Sequence, residues 1–220
     1  VIKLADFSAV IFDMDGLVLD TESTFMIAWQ QAAHAMGYDF SEDFCPSLSG
    51  LHYHDVELKL IEYCGAEFDL QIFKRLSGDF WREYVAVHGI QIKRGFTGLL
   101  ELLNQKKIPY CLATNSLIVN TLECLELAGI EQVFPIVVTR DHVQHGKPEP
   151  DVFLKAAELL QVDIGRCLVV EDSHAGIVAA SRAGAVSVFI PSTVQVDPRT
   201  IELCDLMVSD LAQLTDVISA

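Results

Sequence analysis

The sequence predicts an α/β protein: a parallel sheet covered on both faces, interrupted once by an all-helical insert. Three observations carry this. Short apolar runs alternate with amphipathic stretches of about ten residues, the pattern of βαβ units. The first run, Ser8–Asp13, is apolar without alternation, as in a strand buried on both faces. Residues 17–89 then show helical periodicity with no convincing strand, far more chain than a connection between two strands needs.

Each element follows from its own pattern. After the first strand, Asp20–Ser23 offers helix-starting residues. Phe25, Ala28, Trp29, Ala32, Ala33 and Met36 then form one apolar stripe that Gly37 ends. Within 41–88, Leu58 and Ile61 mark one helix and Phe73, Leu76, Phe80 and Tyr84 another. Beyond Gly95 the texture changes. Helices are expected over 96–105, 117–128, 151–160 and 174–183, and from 210 onward. Strands are expected over 109–114, 134–138, 167–170 and 186–190, with a short one at 206–208. The expected division is an α/β core made of 1–16 and 90–220, and a helical domain made of 17–89.

Composition narrows the class. The 220 residues carry 15 Lys+Arg against 31 Asp+Glu, a net charge of −16, with 51% hydrophobic residues. So much apolar sequence is incompatible with general disorder. The acidic balance argues against nucleic acid as a partner, since phosphate-backbone binding needs clustered Lys and Arg. Insert and core each carry net −8, so the charge is not segregated. No apolar run approaches the ~20 residues of a membrane helix, and no secretory signal is visible. Six scattered cysteines lack metal-site spacing and read as reduced thiols. A cytoplasmic monomer is expected.

The polar residues gather where open α/β sheets bind ligands, beyond the carboxyl ends of strands. Strand one ends in Asp13-Met14-Asp15-Gly16, and the next in Thr114-Asn115-Ser116. A later loop carries Lys147-Pro148-Glu149-Pro150, and the strand near 167–170 ends in Glu171-Asp172-Ser173. Two carboxylates ~4 Å apart repel by ~4 kcal/mol at an effective dielectric near 20. A cluster of Asp13, Asp15, Glu171 and Asp172 therefore calls for a cation, a shared proton, or both. A hard dication with oxygen ligands suits it, and Mg²⁺ is the usual one beside phosphate. Thr114, Asn115 and Ser116, with nearby backbone N–H groups, could cradle a phosphate or simply cap a helix.

These four motifs, in this order and spacing, resemble the haloacid dehalogenase superfamily of phosphohydrolases, in its β-phosphoglucomutase-like and sugar-phosphatase-like branch. The resemblance covers essentially the whole chain. It implies a Rossmann-like parallel core carrying a helical cap. It implies a nucleophile at Asp13 that becomes an aspartyl phosphate, and a general acid and base at Asp15, whose backbone carbonyl also binds Mg²⁺. Thr114 is implied to hydrogen-bond the transferring phosphoryl group, with Asn115 and Ser116 nearby. Lys147 is implied to bridge Asp13 and the phosphate, Asp172 to bind Mg²⁺, and Glu171 to support the metal directly or through water. The second acid, Asp15, argues against dehalogenation, because a halide leaving group needs no proton.

Within that branch the activity is either hydrolysis of a small phosphate monoester or mutase chemistry on hexose phosphates. A mutase of this kind needs a cationic clamp in the cap. The loop 48–55 contains Ser49, His52, Tyr53 and His54 but no Lys or Arg. The mutase's cap histidine, shortly after the first motif, also has no counterpart near Thr24 and Phe25. Hydrolysis is therefore expected, with His52, Tyr53 and His54 as candidate substrate contacts.

Overall fold

The computed structural model describes residues 2–41, 43–48, 53–192 and 196–219, apart from the side chains of 46 and 53–55. Among the described residues six strands form one sheet: β1 (Ala9–Phe12), β2 (Tyr110–Ala113), β3 (Val137–Val138), β4 (Cys167–Glu171), β5 (Val186–Phe189) and β6 (Leu206–Met207). Their order is β3-β2-β1-β4-β5-β6, and every neighbouring pair is parallel. This is the α/β architecture the sequence predicts.

The chain divides into two compact units, Val1–Asp20 with Gln91–Ala220, and Thr21–Ile90. In the sheet unit, β1 is buried on both sides because its neighbours are strands and its faces carry helices. Ala9 and Ile11 face one layer, where they join Val152, Phe153 and Ala156 of α6 (Asp151–Leu160) and Ala179 and Ala180 of α7 (His174–Ala183). Phe12 faces the other. There the edges of Phe96 and Phe134 meet its ring, with centroids 5.7 and 6.2 Å away. Phe96 opens α4 (Phe96–Lys106), which packs against α9 (Leu211–Ser219). Each such fully buried side chain contributes about 1.5–3 kcal/mol. After β2 the chain forms α5 (Ile118–Leu127).

Residues 17–20 belong with the sheet unit, whereas the sequence reading places them in the insert. Leu17, Val18 and Leu19 are buried, and Leu19 bridges to both Asp15 and Ile92. Their apolar run continues the core rather than opening a helix. The expected strand 134–138 pairs only at Val137–Val138, since Phe134 turns into the core and Pro135 has no N–H to donate. A short helix, α8 (Pro198–Leu203), is additional to the expected elements. Its signal is Asp197, whose side chain accepts from Arg199 N at 2.9 Å, followed by proline in the first turn.

The second unit contains α1 (Thr21–Ala35), α2 (Tyr53–Cys64) and α3 (Leu70–His88). Its core gathers Ala32 and Ala33 of α1, Val56 and Leu60 of α2, and Phe73 of α3. Thr24 ties α1 to α3 by accepting from Trp81 Nε1 at 2.9 Å while donating to Thr21 O. Asp69 caps α3 by accepting from Gln71 N and Ile72 N. Among the described residues, no helix is long and apolar enough to cross a membrane.

All six cysteines are free, and four of them are buried: Cys45, Cys111, Cys124 and Cys167. Burial pushes the Cys45 and Cys167 thiols up to about 11 and Cys124 to about 12, and raises Cys111 as well. A thiolate-selective reagent near pH 8 should modify the half-buried Cys64 and Cys204 first. The other four should react only on unfolding, as read by mass spectrometry of labelled peptides. Rapid native labelling of Cys111 or Cys167 would contradict this packing.

Candidate active site

The sheet order places the polar motifs together. β1 lies between β2 and β4, and the chain leaves it in one direction for β2 and β3 and in the other for β4 to β6. Ligand crevices of open α/β sheets form at such a reversal, beyond the carboxyl ends of the strands. Asp13 and Asp15 follow β1, Thr114 to Ser116 follow β2, and Glu171 is the last residue of β4. Lys147 enters from the loop that precedes α6.

At the centre is a buried ammonium. Lys147 Nζ donates to Asp13 Oδ1, to Glu171 Oε1 at 2.5 Å and to Ala113 O at 2.9 Å. These three bonds use every proton of the ammonium. The Phe153 ring lies beneath it, with its centroid 5.0 Å from Nζ. The Lys147, Asp13 and Glu171 side chains are 3%, 9% and 0% exposed. Burial alone would lower the lysine pKa, but the two carboxylates outweigh it and hold Lys147 above its ordinary value. Burial raises the Asp13 carboxyl well above the usual carboxylate range; Lys147 opposes this, while Glu171 and Asp15 add to it.

Glu171 is satisfied on its other side by its own loop. Oε2 accepts from Asp172 N at 3.0 Å, Ser173 N at 3.1 Å and Ser173 Oγ at 3.0 Å. Ser173 Oγ in turn accepts from Gly176 N at 3.0 Å and so caps α7. The carboxylate thus lies at the positive end of a helix, which favours its charge. This requires close approach: a Cβ on Gly176 would lie 1.8 Å from Glu171 Cδ.

Asp15 is held by different groups. Its Oδ2 accepts from Ser116 Oγ at 2.7 Å and Thr114 Oγ1 at 3.4 Å. Thr114 Oγ1 also accepts from Ser116 N at 3.0 Å, so the loop after β2 is folded around its own hydroxyl. Asp13, Glu171 and Asp172 each offer a carboxylate oxygen, all within 4.8 Å of one another. That is a set of hard oxygen donors at a spacing one small divalent cation can span. Four carboxylates against a single ammonium also leave the site about three charges negative when all are ionised, so a dication fits the electrostatics.

Of the residues singled out from sequence, Asp13, Lys147, Glu171 and Asp172 form one cluster, and Asp15, Thr114 and Ser116 another beside it. Asn115 belongs to the same loop, but its side chain bonds the backbone of Lys147. His52 lies outside the described residues. Tyr53 and His54 open α2, and their side chains lie outside them too. Sequence reasoning missed Phe153, Gly176 and Arg182, whose NH1 donates to Pro148 O at 3.1 Å and Glu149 Oε1 at 2.6 Å. Gly176 had a signal, since glycine inside a helix is costly without a packing reason. Phe153 and Arg182 had none.

An α/β sheet with opposed carboxylates, a buried lysine and a hydroxyl-bearing loop at its switch point defines an enzyme suited to phosphoryl-group chemistry. Residues 10–190 match the model of the haloacid dehalogenase-like hydrolases, and the chain belongs to that family. It is 31% identical over 181 residues to a phosphorylated carbohydrates phosphatase of Thermotoga maritima, covering 82% of this chain and 83% of that one. It is 30% identical over 186 residues to a β-phosphoglucomutase of Bacillus subtilis, covering 82% and 81%. The solved structure of a family hydrolase from Entamoeba histolytica superposes with a TM-score of 0.77 at 27% identity, covering 97% of this chain and all of that one (100%).

The crowding at Gly176 generates a prediction. Gly176→Ala must displace the Glu171 carboxylate and leave Lys147 half-paired. Breaking a buried charge pair costs about 3–5 kcal/mol. Denaturant titration should show a loss of that order, with native-like secondary structure below the transition. A stability within about 0.5 kcal/mol of the parent would mean that Glu171 is not pinned as described.

Proposed function

We propose that this enzyme is a Mg²⁺-dependent phosphatase that hydrolyses a small phosphate monoester, of the sugar-phosphate kind, through a phosphorylated Asp13. The observation that carries the reading is the separate tethering of two carboxylates on one loop. Asp13 is locked to Lys147, whereas Asp15 Oδ2 accepts from the hydroxyls of Ser116 and Thr114. A group fixed against an ammonium is oriented as a nucleophile; one held by exchangeable hydroxyls is suited to handling protons.

The proposed steps follow. An Asp13 oxygen attacks phosphorus and the bond to the leaving oxygen breaks. Asp15 supplies the proton that the leaving alcohol needs. Asp15 then takes a proton from water as that water attacks the phosphorus of the acyl phosphate, which returns Asp13 and releases inorganic phosphate. Thr114 and backbone N–H groups after β2 orient the phosphoryl oxygens, and Lys147 offsets the charge of Asp13 throughout. Asp13, Glu171 and Asp172 would hold Mg²⁺, with the Asp15 carbonyl as a further ligand. When bound, it would supply charge neutralisation and polarise the phosphoryl group.

Two things support a sugar phosphate as substrate and hydrolysis over transfer. The phosphatase relative at 31% identity acts, by its name, on phosphorylated carbohydrates. The loop 48–55 contains no Lys or Arg to retain a second phosphate. The mutase reading rests on the β-phosphoglucomutase relative. It predicts isomerisation of a hexose phosphate, activated by a bisphosphate, without net phosphate release.

Phosphate release from a panel of hexose and pentose monophosphates should require Mg²⁺, stop in excess chelator and not be restored by Ca²⁺, whose looser coordination disturbs in-line geometry. Asp13→Asn should abolish turnover with the fold intact. Full activity in chelator, or isomerisation without phosphate release, would overturn the reading.

A further inference from the structure

The loop after β2 grips Lys147 at both ends. Ala113 O accepts from the ammonium at 2.9 Å. Two residues on, the Asn115 side chain meets the Lys147 backbone in a two-point pairing. Asn115 Oδ1 accepts from Lys147 N at 2.8 Å, and Nδ2 donates to Lys147 O at 3.0 Å. The orientation of the amide is therefore fixed by its partners, since flipping it would set donor against donor and acceptor against acceptor. The pairing also needs room. A Cβ on Gly146, the residue before the lysine, would lie 2.5 Å from Asn115 Oδ1. A small residue at 146 and an amide at 115 thus belong to one contact.

This contact has leverage. Lys147 has a long, flexible side chain, and its ammonium must meet three acceptors at the ends of three strands and the face of Phe153. Where the ammonium can reach depends on where the backbone of residue 147 is held. Arg182, on Pro148 O and Glu149, is about half exposed and acts one and two residues further on, and Arg140 holds Val143 O and Gln144 O earlier in the loop.

We propose that Asn115 is a positioning residue, not a substrate ligand: its side-chain amide fixes the backbone of Lys147 and thereby sets the ammonium against Asp13. The inference rests on the phosphatase reading for its kinetic test and only on geometry for its chemical one.

Turnover of p-nitrophenyl phosphate with Mg²⁺ supplies the kinetic test. Displacing a group by about 1 Å costs on the order of 10²-fold in rate. Asn115→Ala should therefore lower kcat by about 10- to 100-fold, with KM changed less than about threefold. Asn115→Asp keeps the acceptor for Lys147 N–H but sets a carboxylate oxygen against Lys147 O, so its kcat should fall at least as far as that of Asn115→Ala. In a Lys147→Ala background, Asn115→Ala should cost less than about threefold more, because a residue acting through Lys147 has nothing left to act on. A raised KM with kcat unchanged, or effects that multiply in the double variant, would overturn the proposal.

The chemical test needs no turnover. Acylation of amines by acetic anhydride, read at Lys147 by peptide mass spectrometry, should be slow in the parent. In Asn115→Ala and in Asn115→Asp it should be about tenfold faster, while other lysines are unchanged. This is the order expected when local opening becomes easier by one hydrogen-bonded contact. An unchanged rate at Lys147 in folded variants would overturn the proposal. A parent that fails to hydrolyse the ester with Mg²⁺ would remove the phosphatase reading and leave this second test decisive for Asn115.

Discussion

One buried ammonium holds this active site together. Asp13 and Glu171 end neighbouring strands of a parallel sheet, so the fold itself forces two carboxylates into a nearly dry space. Like charges there repel strongly, and unpaired burial of either costs several kcal/mol. Lys147 answers both acids at once and spends its third proton on the carbonyl that ends β2. Three adjacent strand ends are thereby tied to a single nitrogen. The helical dipole and N–H groups that hold the far oxygen of Glu171 complete the arrangement.

This explains why the two acids of the first loop differ. Asp13 faces the ammonium, and its orientation is set by charge. Asp15, two residues on, is reached by the hydroxyls of Ser116 and Thr114. Hydroxyls can donate or accept and can turn, whereas an ammonium can only donate. In the proposed mechanism, the division between a fixed nucleophile and a proton carrier arises from which strand end each acid meets. It therefore follows from the sheet order, with β2 on one side of β1 and β4 on the other.

Much of this was legible in the residues. The unbroken apolar run of β1, the alternation of strands and helices after Gly95, and the acids that end strands give the α/β class and the carboxylates that the sheet brings together. Such patterns are local and survive without coordinates. Other features depend on tertiary contact and left no local trace. Residues 17–20 read as the start of the insert because Leu17, Val18 and Leu19 look alike whether they begin a helix or close a core. Asn115 read as a phosphate contact or cap, since nothing in the sequence tells its side chain to meet a backbone 32 residues away. Phe153 lies in an ordinary helical stripe, and only the fold places its ring under Lys147. The helix α8 was missed although its Asp-Pro start is a readable signal.

The central claim, that Lys147 is what makes the burial of Asp13 tolerable, is tested most directly by the pH dependence of stability in Lys147→Met, measured by denaturant titration in chelator. The methionine keeps the bulk and removes the charge. It also removes the one cationic influence that lowers Asp13, so that carboxyl is raised further in the folded state. A folded-state acid with a raised pKa binds a proton more readily than its unfolded counterpart, so stability grows as pH falls. Near pH 8 the variant should be less stable than the parent by about 3–5 kcal/mol. The deficit should shrink steadily towards pH 5. A deficit that stays constant across that range, or none at all, would contradict the account.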